Sequence, residues 1–264
     1  MPNWVMNRII LTGKDAETVA NKILSKDQDT GKEYMDFNNI DRMPESLNCI
    51  CGSCTTPALE YYLTTINPDM PEYKGEKLSK AKYTKYLKAV NSAGKERKVY
   101  GKNEFGVQPT DFDTFGGEKG YLTYGKTIAD NRANYGCSTW YEWSRSHWGV
   151  KWNASESRVE HDDDEVIIYF ETPWDGVPGL MYRLAQMCKD NQVVIDYDFS
   201  EEQMAFYERR MHFEAGEITD GCIYEDGSKE AYEHFMEIWG LEDQFRWDEE
   251  EGCYKAKWLD DDDE

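Results

Sequence analysis

Long apolar runs are missing from this chain. No stretch approaches the roughly 18 consecutive apolar residues that a membrane-spanning helix requires, so a membrane protein of that kind is excluded. Histidine is scarce: there are four (His147, His161, His212, His234), scattered through the sequence. No His-x-x-x-His pair and no Gly-x-Ser-x-Gly elbow accompanies them, which removes the commonest metal-hydrolase and serine-hydrolase signatures. Base is short against acid, with 30 Lys and Arg facing 52 Asp and Glu, a net charge of −22. The start does not read as an export signal either. Met1-Pro2-Asn3-Trp4 runs directly into Val5–Leu11, too short and wrongly flanked for a signal core.

Aromatic residues, by contrast, are abundant. Nine Trp, 18 Tyr and 10 Phe are far more core-forming material than a disordered chain carries. A length of 264 residues fits one large domain or a domain with a sizeable insertion. Such a chain buries roughly 70–75% of its unfolded surface, so its stability needs neither disulfides nor a structural metal. The seven cysteines are odd in number, and a reducing, cytoplasmic environment is the simplest expectation. Three of them crowd together as Cys49-Ile50-Cys51-Gly52-Ser53-Cys54. A zinc site is usually built from two separated ligand pairs, and no second pair follows at that spacing. Cys49, Cys51 and Cys54 are therefore the weak metal candidates of a chain for which no metal and no cofactor is expected.

The periodicity predicts a strand over 5–12 ending at Gly13, then a helix capped by Asp15 and running to about Ser25. Residues 26–56 read as loop-rich, and Pro57 starts a helix over 57–66. Gly, Asp and Thr dominate 104–127, which predicts turns and short strands. A helix over 130–147 precedes strands at 148–153, 165–171 and 193–199, with a helix over 177–189 between the last two. A hairpin, 206–214 with 217–224, turns at Ala215-Gly216, and a last helix runs from Ser228 to Gly240. This order predicts an α+β fold: a ferredoxin-like antiparallel sheet with helices on one face, plus a large insertion. The expected organisation is a discontinuous core, 1–47 and 130–245, an insertion over 48–129, and an acidic C-terminal tail over 246–264.

Inside the insertion, residues 74–102 hold ten Lys and Arg against Glu76 and Glu96. Their net +8 leaves −30 for the rest of a chain whose total is −22. Such a segment is either a solvated helix face or an arm that contacts nucleic acid.

Several blocks carry a family resemblance. Met1-Pro2-Asn3-Trp4 with Asn7 and Gly13, Phe37-Asn38-Asn39-Ile40 with Met43-Pro44, and Trp140-Tyr141-Glu142-Trp143 with His147-Trp148-Gly149-Val150-Lys151-Trp152-Asn153-Ala154 resemble the YubB-like ferredoxin-like family of phage and plasmid proteins. Phe170–Trp174 and Glu214-Ala215-Gly216 fit the same pattern, while Val5, His147 and Val150 depart from it. The resemblance implies a ferredoxin-like sheet and a mobile-element origin. It implies no iron–sulfur cluster and no established activity, since the name describes topology.

Three motifs invite chemistry. Gly120-Tyr-Leu-Thr-Tyr-Gly125-Lys126-Thr127 matches the spacing of a phosphate loop, and Val193–Asp196 mimics the acidic strand that accompanies one. Its bulky interior and the lack of a strand before it argue against a nucleotide site, which needs small residues wrapping the anion. Asp111-Phe-Asp113 begins like a calcium loop but lacks the later acidic ligands. The tryptophans at 140, 143, 148 and 152 are expected in the core rather than stacking on bases or sugars.

What remains is charge. Residues 198–264 hold 23 acids against 6 bases. Candidate partner-binding acids are Asp162, Asp163, Asp164, Glu165, Glu201, Glu202, Asp248, Glu249, Glu250 and Glu251. Carboxylates in runs imitate phosphate spacing and repel nucleic acid while attracting proteins that grip it. The expected function is a phage- or plasmid-encoded inhibitor, with no catalytic residues, of a host nucleic-acid-binding defence protein such as a CRISPR effector. No membrane and no direct nucleic-acid contact is expected. The alternatives are an enzyme acting on nucleotides or nucleic acid through Gly120–Thr127, or a nucleic-acid-binding protein using 74–102.

Overall fold

Strand β1 (Trp4–Thr12) alternates in character along its length, and Val5, Asn7, Ile9 and Leu11 on one face are all fully buried. It lies at the centre of the main sheet in the computed structural model, which describes residues 2–66, 72–73, 76–77 and 114–257. Helix α1 (Ala16–Ile23) follows, then a ribbon of β2 (Leu24–Lys26) and β3 (Glu33–Met35). Next come α2 (Thr55–Ile66), the two-residue pair β4 (Glu72–Tyr73) and β5 (Glu76–Lys77), α3 (Glu118–Tyr135) and α4 (Trp140–His147). Strands β6 (Ser155–Asp162) and β7 (Glu165–Pro173) form a hairpin, and α5 (Pro178–Cys188) leads to β8 (Val194–Glu201). A second hairpin, β9 (Arg209–Glu214) and β10 (Glu217–Ile223), precedes α6 (Lys229–Trp239) and a ribbon of β11 (Phe245–Asp248) and β12 (Cys253–Ala256). The chain separates into two compact units, 1–42 with 144–264, and 43–143.

The first unit is built on a six-stranded sheet in the order β10-β9-β8-β1-β7-β6, with every neighbouring pair antiparallel. Four of its strands, β8-β1-β7-β6, with α1 after β1 and α5 between β7 and β8, make the split β-α-β arrangement of a ferredoxin-like sandwich, and the β9-β10 hairpin extends it. Helix α5 marks one face. Tyr197 donates its hydroxyl to Asn7 Oδ1 and accepts from the Val177 amide, each at 2.6 Å. Gly176 lies so close to Phe199 that a Cβ there would come within 2.6 Å of the ring. The start of α1 lies beside the loop that follows α5, because the Gln192 amide donates to the Asp15 carboxylate. Helix α6 lies on the opposite face, above Arg8 and Asp198, so the helices are not all on one face.

Three of the recognised blocks meet in this unit's core. Phe37 packs edge-on against Trp148 at 5.7 Å and Phe170 at 5.6 Å, while Asn153 accepts from the Phe37 amide and donates to Asp36. Residues 148–153 form no strand. Trp148 and Val150 fill the core from a turn, and β6 begins only at Ser155. Asp15 does not cap α1; its carboxylate instead accepts from the Gln192 amide at 2.7 Å, tying the start of α1 to the loop before β8.

In the second unit α2 and α3 pack together through Ala58, Leu59, Tyr61, Tyr121, Tyr124 and Ile128. The expectation of turns over 104–127 is overturned from residue 118 onward. Tyr121, Tyr124 and Ile128 recur at helical spacing, and their burial against α2 outweighs the local turn propensity of the glycines. The helix expected over 130–147 is two helices, broken at Gly136, whose φ of 72° ends α3.

Candidate functional site

The ten candidate acids do not converge on one surface. Asp162, Asp163 and Asp164 are exposed at the β6–β7 turn, where the Gly13 amide donates to the Asp164 carbonyl, and Glu165 opens β7. Glu201 and Glu202 lie at the other end of the sheet, since Glu201 pairs with Val5 whereas Glu165 pairs with Thr12. Seven residues of extended strand separate those two positions, about 23 Å. Glu201 is buried and accepts from Asn3. Asp248 organises the β11–β12 turn, accepting from the Glu250 and Glu251 amides and pairing with Lys255 at 2.7 Å. Those donors hold its carboxyl down at about 2. Glu251 joins the same lysine at 2.8 Å, and Glu249 and Glu250 are exposed.

The residues of the phosphate-loop pattern sit in the middle of α3, which leaves no loop to wrap an anion. Gly120 and Gly125 are packing positions: a Cβ on the first would collide with the Phe115 carbonyl, on the second with the Ala58 carbonyl of α2. Thr127 donates its hydroxyl to the Thr123 carbonyl and Lys126 pairs with Asp130 at 2.5 Å, both contacts within one helix. Asp196, the imagined partner, belongs to the first unit, while 120–127 belong to the second. Cys49 and Cys54 are half-buried and Cys51 is exposed; among the described residues no group of three or more His, Cys, Asp or Glu is placed to hold a metal. A cleft of about 170 Å³ lies beside Cys51, Thr55, Arg132, Ser138 and Glu142. That is below the roughly 300–1,000 Å³ usual for small-molecule sites. Asp111 and Asp113, and the 74–102 segment apart from Glu76 and Lys77, lie outside the described residues.

A polar cluster that the sequence reading did not assemble occupies the α6 face of the sheet. Antiparallel register sets Arg8 directly opposite Asp198. Arg8 donates from Nε and Nη2 to Asp198 Oδ2 at 3.1 and 2.8 Å, and from Nη2 to Glu237 Oε1 at 2.8 Å. Arg210 Nε reaches Asp198 Oδ1 at 2.6 Å, and His234 Nε2 approaches the same oxygen at 3.3 Å. His234 Nδ1 pairs with Glu208 Oε2 at 2.6 Å. Ser200 donates to Glu208 and accepts from the Trp239 indole, which joins β8 to the end of α6.

Burial opposes charge on Asp198, yet the His234 hydrogen bond and the Arg8 and Arg210 charges outweigh it and hold the carboxyl at about 2. Burial likewise disfavours imidazolium at His234, and the two carboxylates reverse that, raising its pKa. Glu208 is raised because desolvation exceeds the help from His234 and Ser200. Three cationic side chains thus meet three carboxylates. With both ring nitrogens engaged and only 3% of the residue exposed, His234 has no lone pair to offer a substrate. The cluster clamps α6 to the sheet; it does not form an acid–base site. One signal was visible in the sequence: Arg8 is the single charge in the strand Trp4–Thr12, and Asp198 stands between the aromatic Tyr197 and Phe199.

Trp143 and Trp148 are buried, as expected, but Trp152 is 40% exposed and packs at 5.6 Å against Trp174, itself 50% exposed. The Lys151 ammonium lies 4.5 Å from the Trp152 ring centre. Trp174, Ala205 and Tyr207 all hold positive φ (67°, 57° and 64°) near the β1 end that begins at Trp4. Glu171 is raised there by burial, with Glu156 and Glu202 adding repulsion.

Architecture and site together define a mixed α+β protein with a ferredoxin-like antiparallel sheet, whose described surface is acidic. Residues 147–242 match the family model described as a ferredoxin-like domain in Api92-like protein. A solved structure, of a protein api92 from Yersinia pseudotuberculosis, is similar at 11% identity over 86% of this chain and 99% of its own, with a TM-score of 0.39. No curated protein matches the chain significantly. Among the described residues no helix is long and apolar enough to cross a membrane.

Proposed function

We propose that this protein is a non-enzymatic inhibitor, encoded by a phage or plasmid and acting in the host cytoplasm, that binds a nucleic-acid-handling defence protein such as a CRISPR effector. The reading rests on one observation above the others: the buried cations Arg8 and His234, with the part-exposed Arg210, are already matched. Arg8, Arg210 and His234 are taken up by Asp198, Glu208 and Glu237, so the surplus behind the net charge of −22 stays on the outside. Exposed acids such as Asp162, Asp163, Asp164, Glu202, Glu249 and Glu250, spread over separate parts of the surface, then give the protein a negative potential that draws in a Lys- and Arg-lined groove. The resemblance of the sequence blocks around Phe37 and Trp148 to a phage and plasmid family supports that origin.

The test is plaque formation on a CRISPR-immune host that expresses the protein. Infection should be restored by the wild type and lost when the exposed acids are changed to Asn and Gln together. Binding to the effector should weaken steeply with salt. Equal potency of the neutralised variant defeats the proposal, as does failure to relieve any defence system that acts through nucleic acid.

A further inference from the structure

The two edges of the main sheet are finished differently. Strand β6 is flanked by β3, and the Met35 amide donates to Ser157 Oγ at 3.1 Å. Strand β10 has β9 on one side and no neighbouring strand on the other among the described residues. All seven of its residues are exposed, with Ile218 at 40% and Ile223 at 71%. An edge strand leaves alternate amides and carbonyls unpaired, and these are a template for another strand. From this geometry we infer that β10 accepts an extended, basic segment of a partner protein as a seventh strand.

Charge selects that occupant. Residues 214–226 contain five acids (Glu214, Glu217, Asp220, Glu225, Asp226) and no Lys or Arg. Arg210, which faces Cys222 across the β9–β10 ladder, is turned to Asp198 and does not offset them. A second copy of the chain would set those acids against themselves, and like charges opposed across strands are destabilising. A segment alternating Lys or Arg with apolar residues satisfies both needs. Its bases meet the carboxylates, and its apolar side chains cover Ile218 and Ile223. Such segments are common in proteins that hold nucleic acid. The irregularity between Ile218 and Asp220 interrupts the register of β10 with β9.

The inference rests on the acidic-surface reading of the function, and the test separates the two. The probe is a twelve-residue peptide alternating lysine and valine, added to the full chain at low salt and followed by binding and by amide hydrogen exchange. Protection should appear within 217–223. Changing Ile218→Lys and Ile223→Lys together, both at exposed positions, should weaken binding by about tenfold or more. Changing Asp162, Asp163 and Asp164 to Asn should leave it nearly unchanged. Near-ultraviolet circular dichroism matching the wild type establishes that each variant is folded. No binding, protection elsewhere, or binding lost in the Asn variant and kept in the Lys variant overturns the edge assignment. In the last case the acidic reading survives without it. Protection at 217–223 from a protein that relieves no host defence leaves the edge standing and removes the inhibitor.

Discussion

His234 Nδ1 lies 2.6 Å from Glu208 Oε2, and both side chains are closed to solvent. The pair links α6 to the segment that enters β9, 26 residues earlier in the chain. Its partner on the other ring nitrogen is Asp198, so a single imidazolium bridges two buried carboxylates.

The first consequence is a stability maximum in mild acid. His234, and likewise His161 between Glu17 and Glu33 and His212 between Asp196 and Glu214, have raised pKa values through their carboxylate bonds. Each binds its proton more tightly when folded. The stability it adds is complete below the unfolded value of 6.5 and is lost as pH rises through the raised folded value. Glu208 and Glu171, raised by burial, act in the same direction; His147, lowered by burial, acts against it. Asp198 runs from 3.8 unfolded to about 2 folded, so its contribution is present above 3.8 and fades as pH falls through about 2. Melting temperature measured from pH 3 to 9 should peak between these limits. A melting temperature at pH 8 equal to or above that at pH 6 contradicts this.

Asp198→Asn should be among the most damaging single changes. It leaves buried Arg8 with only the part-exposed Glu237 as a carboxylate partner and weakens the hold on Arg210 and His234. Breaking a buried pair on one side costs about 3–5 kcal/mol. For a chain of this size that is a fall of about 10 °C in melting temperature. Replacing Arg8 and Asp198 together with Met and Leu should recover part of the loss, because no charge is then stranded. A double variant no better than Asp198→Asn counts against the clamp.

Gly125→Ala and Lys126→Ala should behave in opposite ways. A Cβ on Gly125 meets the Ala58 carbonyl at 2.2 Å and the Tyr62 Cβ at 2.8 Å, so α2 and α3 must move apart. Overpacking of this kind costs about 1–3 kcal/mol. Lys126 is exposed on α3 and contributes only its pair with Asp130, so its loss should leave the unfolding curve unchanged. Adding ATP should shift neither the wild-type nor the variant melting temperature. A shift in the wild type that disappears in Lys126→Ala restores the nucleotide reading.

The β9–β10 turn carries strain that substitution can relieve. Ala215 and Gly216 both hold positive φ, 48° and 88°, the conformation of a two-residue hairpin turn that favours Asn-Gly. Ala215→Asn should stabilise the protein by about 0.5–1 kcal/mol, measured by urea unfolding. A decrease in stability indicates that Ala215 makes a packing contribution larger than its strain.

Local signals carried the reading where cause and effect lie close together in sequence. Ser228 accepts from the Ala231 amide and Gly240 closes α6 with φ 65°, so both ends of that helix were legible. The Ala215-Gly216 turn was legible for the same reason. Gly120 and Gly125 misled because a glycine signals a turn and a close helix contact alike, and only the presence of α2 distinguishes them. Trp152 misled because the block's spacing does not reveal which ring emerges from the core.

The sequence alone determined the α+β class, the strand and helix order of the ferredoxin-like core apart from β6, which it placed on 148–153, and the acidic excess, because periodicity and composition act within a few residues or over the whole chain. Tertiary structure decided the rest. Arg8 and Asp198 stand 190 residues apart and meet only through the register of β1 with β8. His234 reaches them only because α6 turns that side of its surface to the sheet. The open edge of β10 is likewise a property of sheet order, since a strand's lack of a neighbour is written in no segment of its own.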